Sequence, residues 1–359
     1  MSDIFINYNQ DILQGTLELL EASELKNLIH ADMKISVKPN MVLAKPPSLG
    51  ATTHSEVVEA LIIYLRDFGV RKIEIIESAW IGGNTKQAYK VCGYEKLSEK
   101  YSVPLFDLKD DSTRKIKAGD FNFDICGKAL DADFLINVPV LKAHCQTLMT
   151  CNLKNLKGCI SDSEKRRFHT LGLHRPIAFL NKAVQTHFCL VDGICGDLTF
   201  EEGGNPVTRN MIIAGRDPLM IDSYCAELLG YKATEIEYIN IASKLNIGEL
   251  YSRDKSSVTE LNGENKPKFT EAKSGIVKQL AAYINEDRSC SACYSSLVYA
   301  LHNARGVSRS LKTEKINIGQ GFKGKSGKLG CGNCTSGFDK FVGGCPPKAA
   351  DIAAFLKQL

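Results

Sequence analysis

The sequence predicts an α/β protein: a mostly parallel sheet covered by helices over residues 1–270, followed by a small cysteine-rich region over 271–359. Three observations predict it. Short runs rich in Ile, Val and Leu alternate with stretches of helical apolar periodicity, the rhythm of βαβ units. One run, Phe188-Cys189-Leu190-Val191-Asp192, is unbroken, as in strands buried on both faces. Five of the thirteen cysteines crowd between positions 290 and 345.

In chain order, a strand at Ile4 to Asn7 leads to a helix carrying Leu13, Leu17, Leu20, Leu25, Leu28 and Ile29 on its apolar positions. A strand at Lys34 to Lys38 ends in Pro39-Asn40. Thr53 and Glu56 have the spacing of a capping box; Val57, Val58, Leu61, Ile62, Leu65 and Phe68 share one helical face, and Gly69 stops the helix. Strands follow at Lys72 to Glu77, Phe134 to Val138, Phe188 to Asp192 and Met211 to Ala214. Asp217-Pro218 has the form of an N-cap with proline at the first helical position, and that helix stops at Gly230. Glu235 to Leu245 reads as a further helix. Residues 248–268 are polar and read as an insertion or hinge before a helix near Thr270 to Tyr283.

Composition sets limits. With 359 residues, 44% hydrophobic and 24% charged, the chain is long enough to bury a large core and is not a disordered polymer. Its N-terminus has no basic leader, and its best apolar run, Ala60 to Leu65, is far shorter than the ~20 residues of a membrane span. A cytoplasmic location is expected, with no membrane and no nucleic-acid partner. Eight cysteines scattered singly through apolar segments suit reduced, buried thiols in a reducing compartment, an anaerobic one included.

The remaining five form two CxxC pairs, Cys290/Cys293 and Cys331/Cys334, with Cys345-Pro346 beyond them. A CxxC turn lets two thiolates reach one metal centre, and glycines at 330, 332, 343 and 344 let backbone approach it closely. Two classes of site fit. A zinc ribbon would take both pairs and leave Cys345 idle, but its usual gap is roughly 15 to 20 residues, against 37 here. A 4Fe-4S cluster would use Cys290, Cys293, Cys334 and Cys345, with Cys331 the doubtful ligand and the Cys-Pro ending familiar from iron–sulfur runs.

Ligands of open parallel sheets bind beyond the carboxyl ends of the strands. The residues there are polar: Lys38 and Asn40, Glu77 and Ser78 with the Gly82–Thr85 turn, Asn137 with Lys142 and His144, Asp192, and then Asn152, Lys154, Asn155 and Lys157. Lysine and amide donors in this pattern suit a small anion. Lys38, Asn40, Asn137, Lys154 and Asn155 are the candidates to hold it. Lys142 and His144, backed by Glu77 or Asp192, are the candidates to move protons. His144, His169 and His174 lack the spacing of a metal motif, and Gly82–Thr85 equally fits an ordinary capping turn.

Lys38-Pro39-Asn40, the Asn137 to His144 segment, Asn152 to Gly158, Asp192-Gly193-Ile194, Ala214 to Pro218 and Gly344 to Pro347 together resemble the domain of unknown function 362 family, over nearly the whole chain. The resemblance implies an α/β core joined to an iron–sulfur region. Some members carry a run of eight cysteines, whereas five here allow one cluster, and an aliphatic residue often stands where Cys331 does. The nickel-dependent lactate racemases are remote candidates for kinship in fold, with none of their motifs here.

The expected function is a redox enzyme that passes single electrons from the cluster to a small anionic substrate or cofactor. A non-catalytic electron carrier or assembly subunit is the alternative, and a metal-assisted hydrolase with a structural zinc tail a weaker one. From residue 281 onward eleven basic residues stand against five acidic ones, a net +6 within a chain of +4 overall. Such a rim suits an acidic electron donor such as ferredoxin.

Overall fold

The computed structural model describes residues 3–268, 274–304 and 314–359. Its centre is an eight-stranded sheet built from β1 (Ile4–Asn7), β2 (Lys34–Pro39), β3 (Lys72–Glu77), β4 (Leu105–Asp107), β5 (Phe134–Val138), β6 (Phe188–Asp197), β7 (Pro206–Gly215) and β8 (Val258–Leu261). The order is β8-β1-β7-β6-β5-β2-β3-β4. β6, β5, β2, β3 and β4 are mutually parallel, and β7 runs antiparallel between β6 and β1. The mostly parallel α/β fold is therefore what the chain adopts.

Alternation along the strands feeds two apolar layers, one on each face. Ile35, Val37, Ile73, Ile75, Leu190 and Ile212 pack with Leu61, Ile62 and Leu65 of the helix Ser55–Asp67. Ile76, Leu135, Val191 and Ile213 pack with Leu219, Ile221 and Cys225 of the helix Pro218–Leu228. Residues one apart on a strand point to opposite faces, so Ile75 and Ile76 serve different layers.

Several local expectations are corrected. The first helix spans Ile12–Ala22 and breaks at Glu24, which takes a left-handed conformation; Leu25–Leu28 form a separate 3-10 turn. Thr53 is not a helix cap. Its hydroxyl donates to the Val138 carbonyl and accepts from the Asn40 amide, and the helix begins at Ser55 after His54. The polar stretch 248–268 contributes β8, which pairs with β1 at the sheet edge. The expected boundary at residue 270 falls within 269–273, outside the described residues.

After that stretch the chain builds a second, smaller sheet. β9 (Ile284–Glu286), β10 (Ile316–Ile318), β11 (Leu329–Cys331) and β12 (Lys340–Val342) run parallel, in that order. They share an apolar cluster with Leu297 and Val298 of the helix Ser291–Asn303 and Ile352 and Leu356 of the helix Ala349–Leu356. Phe200, from the core side of the chain, completes that cluster and meets Tyr299 and His302 edge-on, which anchors the appendage to the core.

Candidate functional site

β2, β3 and β5 end side by side. Beyond them the chain makes a small hairpin, Lys142–His144 against Leu148–Thr150, then one helical turn at Asn152–Asn155 and a 3-10 turn at Leu156–Cys159. These turns return the chain over the strand ends and enclose a cavity of about 90 Å³. Asn40, Glu77, Lys142, His144, Lys154 and Lys157 line its core side. Cys290, Ser291 and Ala292, at the start of the appendage's helix, line the other. Three of the five predicted anion residues, Asn40, Lys154 and Asn155, thus line the same cavity as Cys290, the one predicted cluster cysteine to reach it.

The lysines at this end have different surroundings. Lys38 is fully buried and donates to both carboxylate oxygens of Glu77, at 3.1 and 3.0 Å. Glu77 also accepts the backbone amides of Met41 and Ser78. Gly158 packs against this pair so closely that a Cβ there would fall 2.0 Å from Glu77 Oε1 and 2.7 Å from Lys38 Nζ. Lys142 donates to the carbonyls of Ala51 and Glu201. Lys165 donates to Ser78 Oγ, the Ala79 carbonyl and Asp162.

Lys154 reaches only Thr150 Oγ1, at 3.3 Å, and Lys157 makes no hydrogen bond or ion pair among the described residues. Burial pushes the ammonium groups of Lys154 and Lys157 down to about 7, with Lys142 adding to the first and Lys154 to the second. Burial likewise lowers Lys142, to about 8, against the pull of Glu201 and Asp197. Glu201 pulls the other way on both without overcoming burial, and a cation held in a closed space without a bonded counter-charge is a cost that a bound anion would remove.

His144 Nδ1 accepts the backbone amides of Gln146 and Thr147, so its proton sits on Nε2, 3.2 Å from Glu201 Oε1. That oxygen has no aligned hydrogen bond, while its twin accepts the Cys145 amide. Burial, then Lys154 and Lys157, hold His144 far below the ordinary histidine range, so it is a neutral imidazole. His169, one helical turn from Lys165, accepts the Ser291 amide on Nε2, and burial keeps it neutral too.

Two expected roles are reassigned. Asp192 does not back His144: its Oδ2 accepts the backbone amide and Nδ1 of His54, and its Oδ1 the Ile194 amide, so it fixes the start of the helix Ser55–Asp67. The carboxylate beside His144 is Glu201, which lies past β6 where no periodicity marks it. Glu77 lines the cavity, but all its bonding is spent on Lys38 and two amides. Asn137 lies behind the wall, its Nδ2 donating to the Asn152 carbonyl. In the Gly82–Thr85 turn, Asn84 Oδ1 accepts the Gln87 amide and caps the helix Thr85–Val91. Gly82 lies under the cysteine loop, where a Cβ would stand 2.6 Å from Pro346 Cδ and 2.9 Å from the Cys345 carbonyl oxygen.

Cys290 caps the helix Ser291–Asn303 and Cys293 lies in its first turn. The loops bearing Cys334 and Cys345 are laced together: the Asn333 amide donates to the Gly344 carbonyl, and Asn333 Oδ1 accepts the Gly344 amide. Burial, then the thiols of Cys345 and Cys334, push Cys290 up to about 11, and Cys293 rises through burial and the same neighbours. Cys331 is sealed in the appendage's apolar cluster, where burial alone pushes it to about 12; it bears on Cys293 but not on Cys290. Among the described residues no group of three or more His, Cys, Asp or Glu is drawn tightly enough to hold a single metal ion.

The fold and cavity define an α/β protein with a basic chamber at its strand ends. The chain belongs to the family described as domain of unknown function DUF362, whose model matches residues 35–227, from β2 through the helix Pro218–Leu228. The cysteine region lies outside that match. A thylakoid-associated protein of Synechocystis is 23% identical over 214 residues, 56% of this chain and 65% of that protein, so the chain spans less than two thirds of this relative. Among solved structures, the lactate racemase apoprotein of Thermoanaerobacterium thermosaccharolyticum is similar with a TM-score of 0.43 and 15% identity, over 63% of this chain and 57% of that one. A Thermotoga maritima protein gives 0.39 and 13%, over 65% and 58%. No helix among the described residues is long and apolar enough to cross a membrane.

Proposed function

We propose that this protein is an iron–sulfur oxidoreductase that delivers single electrons to a small anion held in the strand-end cavity. The observation that carries the reading is that Cys290 lines the same cavity as Lys154, Lys157 and His144. Cys290, Cys293, Cys334 and Cys345 would hold a 4Fe-4S cluster. The mutual influence of these thiols and the lacing of their two loops suit a shell wider than that of one zinc ion. Such a cluster supplies electrons one at a time, at a potential set by its surroundings.

The chain's own residues supply the rest. Lys154 and Lys157 neutralise the anion. His144 keeps its Nε2–H beside Glu201 Oε1 at the cavity wall, where it serves as a neutral hydrogen-bond donor, and the Glu201 carboxylate is the group placed to accept a proton from the ligand. Cys345 is exposed and Cys334 partly so, which leaves the thiol group open to a partner on its outer side. Lys323, Lys325, Lys328 and Lys340 are exposed on the same appendage, and an acidic carrier such as ferredoxin suits them. Arg305, Arg309 and Lys312, also part of the expected basic rim, lie outside the described residues. Electron delivery from an acidic carrier should slow as ionic strength rises; a rate insensitive to salt removes this partner.

The test of the cluster is the iron and sulfide content of protein purified without oxygen, for the wild type, Cys345→Ser and Cys331→Ser. The wild type should be coloured, Cys345→Ser should lose most of the absorbance, and Cys331→Ser should keep it. Colourless wild type with stoichiometric zinc overturns the reading; loss in Cys331→Ser alone means that the four ligands include Cys331.

A further inference from the structure

The cavity wall contains a chain of side-chain amides whose direction is fixed from one end. Asn137 Nδ2 donates to the Asn152 carbonyl, at 2.9 Å. A carbonyl can only accept, so that bond settles which end of the Asn137 amide is nitrogen. Asn137 Oδ1 must then accept, and does, from Asn155 Nδ2 at 2.7 Å. Asn155 Oδ1 accepts in turn from Asn40 Nδ2, also at 2.7 Å. The series ends on Asn40 Oδ1. This atom is buried and has no hydrogen-bond partner, although Asn40 is 4% exposed and lines the cavity. Flipping the amide would set Asn40 Oδ1 against Asn155 Oδ1. The residue is also held by its backbone, whose amide donates to Thr53 Oγ1.

The chamber therefore offers two unlike things: ammonium groups on Lys154 and Lys157, and, besides the charged Glu201 Oε1 held near His144, a neutral acceptor on Asn40 that cannot turn away. A buried acceptor left unpaired is a standing cost that a ligand's donor would remove. None of the lysines around the cavity reaches it. We infer that the ligand of this cavity is an anion that carries its own O–H or N–H donor, a hydroxyl-bearing carboxylate or a protonated phosphate, and that Asn40 Oδ1 selects for that donor. The inference rests on the anion reading above and adds to it the chemical class of the ligand.

Two matched pairs of probes test it by calorimetry on the full chain below pH 7: glycolate against acetate, and phosphate against sulfate. In each pair the anionic group has the same shape and one member has an additional donor; sulfate carries the greater charge below pH 7, so charge alone would favour it over phosphate. The donor-bearing member should bind roughly tenfold tighter, the worth of one net hydrogen bond. Preference in the first pair alone assigns a carboxylate, and in the second alone a phosphate. Asn40→Leu should erase the preference while Lys157→Met weakens both members alike. Equal binding within both pairs overturns the inference and leaves the anion site standing. No binding by any probe overturns both. If Asn40→Leu fails to fold, the wild-type pairs still decide.

Discussion

Lys38 and Lys157 lie at the same end of the same sheet, and their surroundings could hardly differ more. Lys38 is matched by a carboxylate that is itself fully hydrogen-bonded, and even the backbone opposite, at Gly158, leaves no room beside the pair. Lys157 is half-buried and has no hydrogen-bond or ion-pair partner among the described residues. The first arrangement is complete and offers nothing to a ligand; the second is incomplete until something negative arrives. Where charges gather at a strand end, the difference between scaffold and site lies in which of them the protein has already satisfied.

The comparison breaks most visibly on the scaffold side. Replacing Lys38 by Met leaves Glu77 charged and buried, and should cost about 3–5 kcal/mol of folding stability, read as a fall in the denaturant midpoint. Gly158→Ala should act in the same direction because its Cβ cannot coexist with the ion pair. A Lys38→Met chain as stable as the wild type would show that the pair is not structural.

On the other side, Lys154→Met and Lys157→Met should each weaken phosphate or glycolate binding by roughly 10- to 100-fold, the worth of a charge-assisted hydrogen bond. Neither should lower stability much, since for each the cost of burial outweighs the pull of Glu201. Calorimetry and melting on the same samples separate the two effects; loss of stability with binding intact would invert the assignment.

A smaller effect concerns pH. Lys154, facing Glu201, Lys142 and Cys145, has its folded value near 7, below the value of a free lysine. Between about 7 and 10 the unfolded chain holds a proton that the folded chain lacks, so stability should rise with pH by up to about 1.4 kcal/mol per unit and level off below 7. Anion affinity should run the other way, falling above pH 7 as the ammonium is lost. Lys157, also lowered to about 7, adds a like contribution, so Lys154→Met should reduce both slopes and leave the part due to Lys157; slopes unchanged in that variant would assign them to another group.

The same contrast explains what could be read in advance. The start of β6 was legible because strands buried on both faces need continuous apolar runs, β2, β3 and β5 because short Ile, Val and Leu runs alternate with helical periodicity, and the helix Pro218–Leu228 because Asp217 does cap it. Thr53 misled because local spacing cannot reveal that its hydroxyl is engaged by β2 and β5. β8 was hidden because an edge strand, with Thr259 and Glu260 in it, has no need to be apolar. The lysines and asparagines of the cavity could be listed from their place after strands, but not sorted. Sorting needs the partner, and the partners of Lys38, His144 and Asp192 lie 39, 57 and 138 residues away in sequence.

The central claim is that the two lysines and the thiol group serve one site, and the most direct measurement is a redox titration of the anaerobically purified protein with and without saturating phosphate. An anion beside Cys290 makes the addition of an electron harder, so the midpoint potential should shift to more negative values, and the shift should vanish in Lys157→Met. A potential indifferent to phosphate, in protein that calorimetry shows to be saturated, would contradict the account.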